Sequence, residues 1–209
     1  YDAYVGDGSY LTPIIDNSGN KRHGTDIAAI PTAGISGRAI RLNGYNSRVN
    51  VYDGAPFRVQ QFSISFWVNP GSTQVQYADI FSLHHASNSW CLEQQGDSTN
   101  LFGFLGVAPV QLDAGQWQHI VVIKTISTVK IYKNGILVSS ANFGAITYTG
   151  TEDLWIGAWW SGPSRFFNGS LDEILFFQRE ISDSEIRGLY LGKSLPKLYT
   201  MADYRADAL

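Results

Sequence analysis

The chain has 209 residues and a formal net charge of −3, with 16% charged residues, 13% aromatic residues and 21 glycines. This length is typical of one large domain with its own hydrophobic core, and the aromatic and glycine content indicates many strands joined by tight turns. Nucleic acid is not expected as a partner, because affinity for phosphates depends on an excess of Lys and Arg.

The single cysteine, Cys91, has no second cysteine to pair with, so we expect packing rather than intramolecular disulfides to hold the domain. No apolar segment is long enough to span a bilayer. The chain begins with Tyr1 and shows no segment typical of a signal peptide. These features leave the compartment open.

The first third of the chain predicts short strands separated by turns. An opening strand is predicted to bend at Asp7, which lies between two glycines. Residues 39–51 alternate around a turn at Asn43, and residues 62–68 carry apolar side chains at every second position. Trp67 breaks the polar side of that alternation. We interpret it as buried under a loop, with an exposed platform as the alternative.

The middle of the chain combines an irregular segment with a regular hairpin. Residues 77–105 are rich in His, Trp, Glu, Gln and Asn, as a binding surface would be. Residues 117–138 predict a hairpin that turns at Asn134. His119 lies on its apolar side with no carboxylate or nucleophile nearby in sequence. We therefore interpret His119 as a hydrogen-bonded packing residue rather than a catalyst.

The C-terminal part predicts a strand, a turn, a second strand and a capped helix. Residues 171–177 are mostly apolar and have strand length after a turn at Asn168. The strand expected at residues 154–157 is implied by the family resemblance described below. Ser182 and Glu185 have the spacing of a capping box, which predicts a short helix after them.

The helix is predicted to end at Gly192, which also sets the expected domain boundary. We expect residues 1–192 to form one domain. Residues 193–209 form an extension that is too apolar for a simple linker, so we expect it to dock on the domain or on a partner.

Several segments resemble one known family. The closing stretch reads FNGSLDEILFFQREISDSEIRGLY and resembles the end of laminin G-like jelly-roll domains in the concanavalin A-like lectin/glucanase superfamily. Upstream, AIRLNGYNSRVNV, FSISFWVNP and QWQHIVVIKTISTVKIYKNGILV resemble other strands of that family. The resemblance extends over most of the chain. It implies an all-β fold: a two-sheet antiparallel jelly-roll β-sandwich with a short C-terminal helix.

Such domains bind sugars, proteins or each other, and we predict non-catalytic, lectin-like carbohydrate binding at an extracellular, cell or virion surface. Indole rings pack against sugar faces, and Arg and His side chains hydrogen-bond to hydroxyls. The candidate ligand-binding residues are Trp159, Trp160, Arg165, His84, His85 and Trp90. We expect Trp117 and Trp155 to fill the core instead.

The resemblance also implies a structural calcium ion where the opening loop meets the last strand. Carried over by motif, its ligands are Asp7 and Asp172, with the Asn43 amide beside them. Calcium needs six to eight oxygens, which backbone carbonyls would complete. The alternative is that the two carboxylates only accept hydrogen bonds in turns.

Enzymatic activity is not expected. Glucanases of this superfamily carry paired carboxylates on a strand patterned ExDxxE, and this spacing is missing here. Glu93 lies on a predicted strand but is followed by two glutamines. The motifs HExxH, GxSxG and CxxC are missing as well.

The alternative function is structural: an adhesion or assembly subunit, for example of a virion, with protein contacts and a possible homo-oligomer. Leu175 stands where the family pattern has an exposed Arg, and alternation places Leu175 and Phe177 on the outer face. An exposed apolar patch there would contact a protein partner or be covered by the C-terminal tail.

Overall fold

The computed structural model describes residues 3–4, 10–11, 13–85, 88–95, 100–148, 153–159 and 164–192. In chain order the strands are β1 (Ala3–Tyr4), β2 (Tyr10–Leu11), β3 (Pro13–Ile14), β4 (Gly24–Ile27), β5 (Ile30–Ala33), β6 (Arg38–Asn43), β7 (Arg48–Val51), β8 (Phe62–Pro70), β9 (Asp79–His85), β10 (Asn88–Gln94), β11 (Leu101–Phe104), β12 (Val107–Gln111), β13 (Gln118–Lys124), β14 (Thr128–Lys133), β15 (Ile136–Asn142), β16 (Leu154–Ile156) and β17 (Asn168–Phe177). A short 3-10 helix spans Ala55–Phe57, and helix α1 spans Asp183–Tyr190.

These strands form two large antiparallel sheets. The eight-stranded sheet has the order β12-β11-β10-β9-β16-β7-β4-β3, and the seven-stranded sheet has the order β15-β14-β13-β8-β17-β6-β5. β1 pairs with β2 in a small separate ribbon. In both sheets many neighbouring strands are distant in sequence, which is the connectivity of a jelly roll. The predicted fold class is therefore confirmed.

Apolar side chains from both sheets fill the space between them. On β8, Phe62, Ile64, Phe66 and Val68 are all buried, so the predicted period of two is confirmed. The ring of Phe62 packs 5.1 Å from that of Trp90, which β10 of the other sheet contributes. Aromatic contacts of this kind join the two sheets into one core.

Trp90 belongs to this core and not to a ligand site. Its side chain is 0% exposed, and its indole N–H donates to the carbonyl of Phe57 at 3.2 Å. The prediction that Trp90 contacts a ligand is therefore wrong. Alternation along β10 points this ring between the sheets, where a large side chain fills space and its one polar atom is satisfied internally.

Helix α1 covers part of the outer face of the seven-stranded sheet. The predicted capping box is confirmed: Ser182 Oγ accepts from the Glu185 N–H at 3.3 Å, and Glu185 Oε2 accepts from the Ser182 N–H at 2.7 Å. A second apolar cluster lies beneath the helix, made of Val121, Ile123, Tyr132, Ile181 and Ile186. The helix is thus anchored by apolar burial as well as by its cap.

The apolar residues of β17 on this outer face are not freely exposed. Phe177 packs against the cluster beneath α1, and both Leu175 and Phe177 are half-buried. The prediction of an exposed patch at these two residues is wrong, because both are half-buried and Phe177 is covered by the chain's own helix region. Trp67 is also half-buried, with the ring of Tyr190 stacked on it at 5.9 Å. Its cover is therefore a helix rather than the predicted loop.

The predicted docking of the C-terminal extension lies outside the described residues. In the part of the chain that is described, no helix is long and apolar enough to cross a bilayer.

Candidate functional site

A straight row of residues crosses the outward face of the eight-stranded sheet. In register across β7, β16, β9 and β10 lie Asn50, Trp155, Ser82 and Cys91. Their neighbours along each strand point into the core, so these four side chains point away from it. This outward face carries the candidate functional groups.

Trp155 lies in this row, so the prediction that it fills the core is wrong. Its ring is half-buried, and the guanidinium of Arg48 lies over it at 5.0 Å. Trp117, the other tryptophan predicted for the core, is half-buried too. Strand alternation decides which side of a sheet a tryptophan occupies, and size alone does not.

Two carboxylates flank the thiol of the row. Asp79 and Glu93 are partners across the β9–β10 ladder, next to a register shift between Leu92 and Glu93. The side-chain ligand atoms of Asp79, Cys91 and Glu93 all lie within 4.8 Å of one another. We call these three residues the acid–thiol cluster. Glu93 therefore has a carboxylate neighbour that the sequence motifs did not reveal.

The acid–thiol cluster is poorly solvated. Asp79 is 0% exposed, and neither of its carboxylate oxygens has a conventional hydrogen-bond donor among the described residues. Burial raises the pKa of Asp79 and the pKa of Cys91 well above their usual values, and nearby negative charge adds to both shifts. Contact with the Cys91 thiol lowers the pKa of Asp79, but less than burial raises it.

Arg165 provides the positive charge beside this cluster. Its Nη1 lies 3.6 Å from Glu93 Oε2, at a half-buried position. Burial raises the pKa of Glu93, and the Arg165 charge opposes that rise. The arrangement therefore disfavours the charged forms of Asp79 and Cys91, whereas the Arg165 charge favours the ionised form of Glu93.

The same guanidinium lies over two aromatic rings. The Cζ atom of Arg165 is 4.2 Å from the ring centre of Trp159 and 5.0 Å from that of Tyr77. We call Trp159, Arg165 and Tyr77 the arginine stack. The backbone of Arg165 has φ 64°, and its carbonyl accepts from the Asp79 N–H at 2.9 Å. The strand that carries the acid–thiol cluster thus also fixes the cation of the stack.

The structure brings together Trp159 and Arg165 of the predicted ligand-binding residues. Trp160 lies outside the described residues. His84 and His85 occupy the end of β9, opposite Ser89 and Asn88, and their side chains lie outside the described part. Tyr77 was missed by sequence reasoning, since a lone tyrosine in an irregular segment carries no distinctive signal.

The predicted calcium ligands do not come together where they are described. Asp172 Oδ2 accepts from the N–H groups of Ile35 and Ser36 at 2.7 and 3.1 Å. Its Oδ1 accepts from the Glu173 N–H at 2.9 Å. Both oxygens therefore serve backbone donors, which is the alternative role considered for this carboxylate.

Asn43 lies far from Asp172 along the same ladder. Asn43 is paired with Asn168, four residues before Asp172 on β17, which corresponds to a separation of about 13 Å. The Asn43 Oδ1 atom accepts from N–H groups of its own turn, contributed by Tyr45, Asn46 and Ser47. A calcium ion shared by Asn43 and Asp172 is therefore wrong, and Asp7 lies outside the described residues.

Comparisons with known proteins agree with this architecture. A family model described as the concanavalin A-like lectin/glucanases superfamily matches residues 43–187. None of the curated proteins compared with the chain matches it. Among solved structures, domain 4 of an extracellular GH43 arabinanase from Geobacillus stearothermophilus, in complex with arabinotriose, is 22% identical with a TM-score of 0.64. That match covers 88% of this chain and 90% of the arabinanase domain.

Two toxin domains have a similar fold. The binding domain of Paraclostridial Mosquitocidal Protein 1 is 16% identical with a TM-score of 0.65, covering 86% of this chain and 51% of that one. The binding domain of botulinum neurotoxin DC, in complex with SialylT, is 14% identical with a TM-score of 0.63, covering 89% and 49%. The chain thus spans about half of these toxin domains. With a family match over more than half of its length, the chain belongs to the concanavalin A-like lectin/glucanases superfamily.

Proposed function

We propose that this domain binds carbohydrate at an extracellular, cell or particle surface without catalysing a reaction on it, and that the ligand packs on the arginine stack. One observation carries the proposal: the guanidinium of Arg165 lies over two aromatic rings, those of Trp159 and Tyr77, beside the polar sheet face. Tyr77 is 41% exposed, Trp159 is half-buried and the Arg165 side chain is 31% exposed, so all three offer surface to a ligand.

The chemistry of the stack suits a sugar. Aromatic faces accept the C–H faces of a pyranose or furanose ring, and a guanidinium offers several N–H donors in one plane to hydroxyl oxygens. The two rings and the Glu93 carboxylate hold Arg165 in place before binding. A preordered cation loses less side-chain entropy when a ligand binds, which favours affinity.

The similar structures support the same class of ligand. The arabinanase domain is in complex with arabinotriose, and cell entry of botulinum neurotoxin type C depends on two ganglioside molecules. These ligands include neutral and acidic sugars. We therefore propose an oligosaccharide ligand and test both kinds.

Calorimetric titration with arabino-oligosaccharides and with sialylated oligosaccharides tests the proposal. Trp159→Ala, Tyr77→Ala and Arg165→Ala should each weaken binding about fivefold, since one such contact contributes roughly 1 kcal/mol. Tyr52→Ala is the matched control. Tyr52 is also an exposed aromatic residue, at 61%, but it lies near the opposite end of β16 from Trp159. It follows Val51, which pairs with Leu154 at the start of β16, whereas Trp159 comes after the last residue of that strand.

Two results would overturn this proposal. Lack of binding to either sugar class at millimolar concentration would remove the function. Binding that Tyr52→Ala abolishes and Trp159→Ala leaves intact would instead move the site to the cleft that Tyr52 shares with residues 20–23.

The acid–thiol cluster raises the question of glycoside hydrolysis. Retaining glycosidases use two carboxylates about 5 to 5.5 Å apart, and Asp79 and Glu93 approach that spacing. A nucleophile must touch the sugar, however, and Asp79 has no exposed surface. We propose that the domain has no turnover, and reproducible hydrolysis that is lost in Glu93→Gln would show otherwise.

The structural alternative is favoured by a different surface. β15 lies at the edge of the seven-stranded sheet, and its residues Ile136, Leu137 and Val138 are 68%, 49% and 48% exposed. Exposed apolar edge strands are sites of pairing with other chains. If this domain is an assembly subunit, its mass in solution will rise with concentration, and Leu137→Lys will suppress that rise.

A further inference from the structure

We propose that the acid–thiol cluster of Asp79, Cys91 and Glu93 is a binding site for a divalent transition-metal cation, with zinc as the expected ion. The proposal rests on the convergence of three ligand atoms within 4.8 Å and on a buried carboxylate without a conventional donor. Zinc binds sulfur at about 2.3 Å and carboxylate oxygen at about 2.0 to 2.2 Å. The three side chains need only small rotations to close around such an ion.

Asp79 is buried without a conventional hydrogen-bond donor, and its carboxylate contacts the weakly donating thiol of Cys91. Buried polar atoms in proteins are normally hydrogen-bonded, and leaving both oxygens of a carboxylate unsatisfied is unfavourable. Asp79 is 0% exposed, and its backbone N–H is tied to the carbonyl of Arg165. A cation between Asp79 and Cys91 would satisfy the carboxylate where it lies.

A second unpaired group lies beside the thiol. Ser82 is the register partner of Cys91, is 0% exposed, and its Oγ has no hydrogen-bond partner among the described residues. A zinc ion with three protein ligands takes a water as its fourth. The Ser82 hydroxyl is on the correct face of β9 to hydrogen-bond such a water, so it is a positioning residue in this proposal.

The charges of the site also balance with a divalent cation. If all three ligands ionise, they carry three negative charges against the single positive charge of Arg165. A divalent cation brings the group to neutrality, which is the favourable state at low solvent exposure.

The ligand set selects a transition metal over calcium. A thiolate is a soft ligand that zinc, cobalt and cadmium accept, whereas calcium requires six to eight oxygens. The cluster offers two carboxylates and one sulfur. The ion would enter past Arg165 and Glu93, whose side chains are 31% and 15% exposed. The site borders the arginine stack but does not depend on sugar binding.

The test uses the whole chain, stripped with chelator and reloaded with zinc or cobalt during refolding so that slow entry does not hide binding. We expect one tightly held ion per chain and a melting temperature that rises when the metal is bound. Cobalt should give a thiolate charge-transfer band in the near ultraviolet. Because Cys91 is the only cysteine in the sequence, that band identifies the site.

Variants separate this site from adventitious binding. Cys91→Ser and Asp79→Asn should each lower zinc affinity by about a hundredfold or more, since even outer partners of a metal ligand contribute 10- to 100-fold. Glu173→Gln, which removes an exposed carboxylate outside the cluster, should leave affinity unchanged. Circular dichroism checks the fold of each variant, and Glu93→Gln replaces any that does not fold.

The proposal is overturned if the parent protein retains no zinc and shows no cobalt–thiolate band at millimolar free metal. It is equally overturned if Cys91→Ser and Asp79→Asn hold zinc as tightly as the parent does, because the ion would then lie elsewhere. Loss of zinc binding in these variants with unchanged sugar binding would support the metal site and leave the arginine stack untouched.

Discussion

Protonation of His119 is expected to destabilise the sandwich in mild acid. His119 is 2% exposed on β13, with its Nε2 atom 2.8 Å from Ser65 Oγ and the Trp67 ring 5.3 Å away. Burial lowers the pKa of this imidazole from 6.5 to about 4. The residue is thus a neutral, hydrogen-bonded packing residue, as its sequence context predicted, and not a catalyst.

The sign and size of the effect follow from linkage. Between pH 6.5 and about 4 the unfolded chain binds a proton at this position and the native chain does not. The free energy of unfolding therefore rises with pH in this window and is lost as pH falls through it. A shift of that size lowers stability by about 2 kcal/mol at pH 5 relative to pH 8, and by about 3 kcal/mol below pH 4.

Urea denaturation of the parent and of His119→Gln, at several pH values from 8 to 5, measures this term. Glutamine keeps a polar group for Ser65 but does not titrate. Between pH 8 and pH 5 the free energy of unfolding of the parent should fall by about 2 kcal/mol more than that of the variant, which corresponds to roughly 1 M in the urea midpoint. The shifted carboxylates are common to both proteins and cancel in the comparison. If the free energies of unfolding of the parent and the variant change with pH in parallel, the reasoning is refuted, because His119 would then take up its proton in the native state as it does in the unfolded chain.

Three further substitutions test the cap of α1, the role of the Asp172 carboxylate and the close packing at Gly157. Ser182→Ala should lower stability by about 1 kcal/mol by removing the cap of α1, and an unchanged urea midpoint would mean that the helix is held by packing alone. Asp172→Asn should lower the free energy of unfolding by about 1 to 3 kcal/mol, by the same amount in calcium as in chelator. If calcium raises the melting temperature of the parent but not that of this variant, Asp172 has the calcium role after all. Gly157→Ala should destabilise the protein by about 1 to 3 kcal/mol more than the control Gly37→Ala. Both glycines have positive φ, but only at Gly157 would an added Cβ overlap a buried side chain, that of Leu42. Equal melting temperatures for the two glycine variants would contradict the overlap.

Local signals predicted local structure well. The Asn134–Gly135 turn has positive φ at both residues, 52° and 79°, as a tight hairpin of this composition requires. The capping box of α1 forms between Ser182 and Glu185, three residues apart. In each of these cases the residues that determine the geometry are within a few positions of each other, so their pattern is visible without the fold.

The direction of each tryptophan could not be read in the same way. Trp90, between Ser89 and Cys91, points into the core, whereas Trp155, between Leu154 and Ile156, points out. Alternation gives relative directions along a strand, but the absolute direction depends on which face meets the other sheet. Where both faces of a strand carry apolar or aromatic groups, the sequence pattern is consistent with either choice.

The acid–thiol cluster shows a different limit. A search for paired carboxylates along one strand passes over Asp79 and Glu93, because they are fourteen positions apart in sequence and face each other across a ladder. The register shift between Leu92 and Glu93 sets that pairing. Without the shift a different residue of β9 would lie opposite Glu93, so no spacing rule within β10 could have identified the partner.

Arg165 shows how two sites come to depend on one residue. The Cζ atom of Arg165 lies over the rings of Trp159 and Tyr77, and its Nη1 atom lies 3.6 Å from Glu93 Oε2, so one group makes both the aromatic contacts and the ion pair. Its carbonyl is bound to the N–H of Asp79 on the neighbouring strand. A planar cation with a fixed backbone can serve both surfaces at once, whereas a lysine would keep the charge but lose the stacking face. The identity of this residue as arginine is therefore what joins the proposed sugar surface to the buried carboxylates.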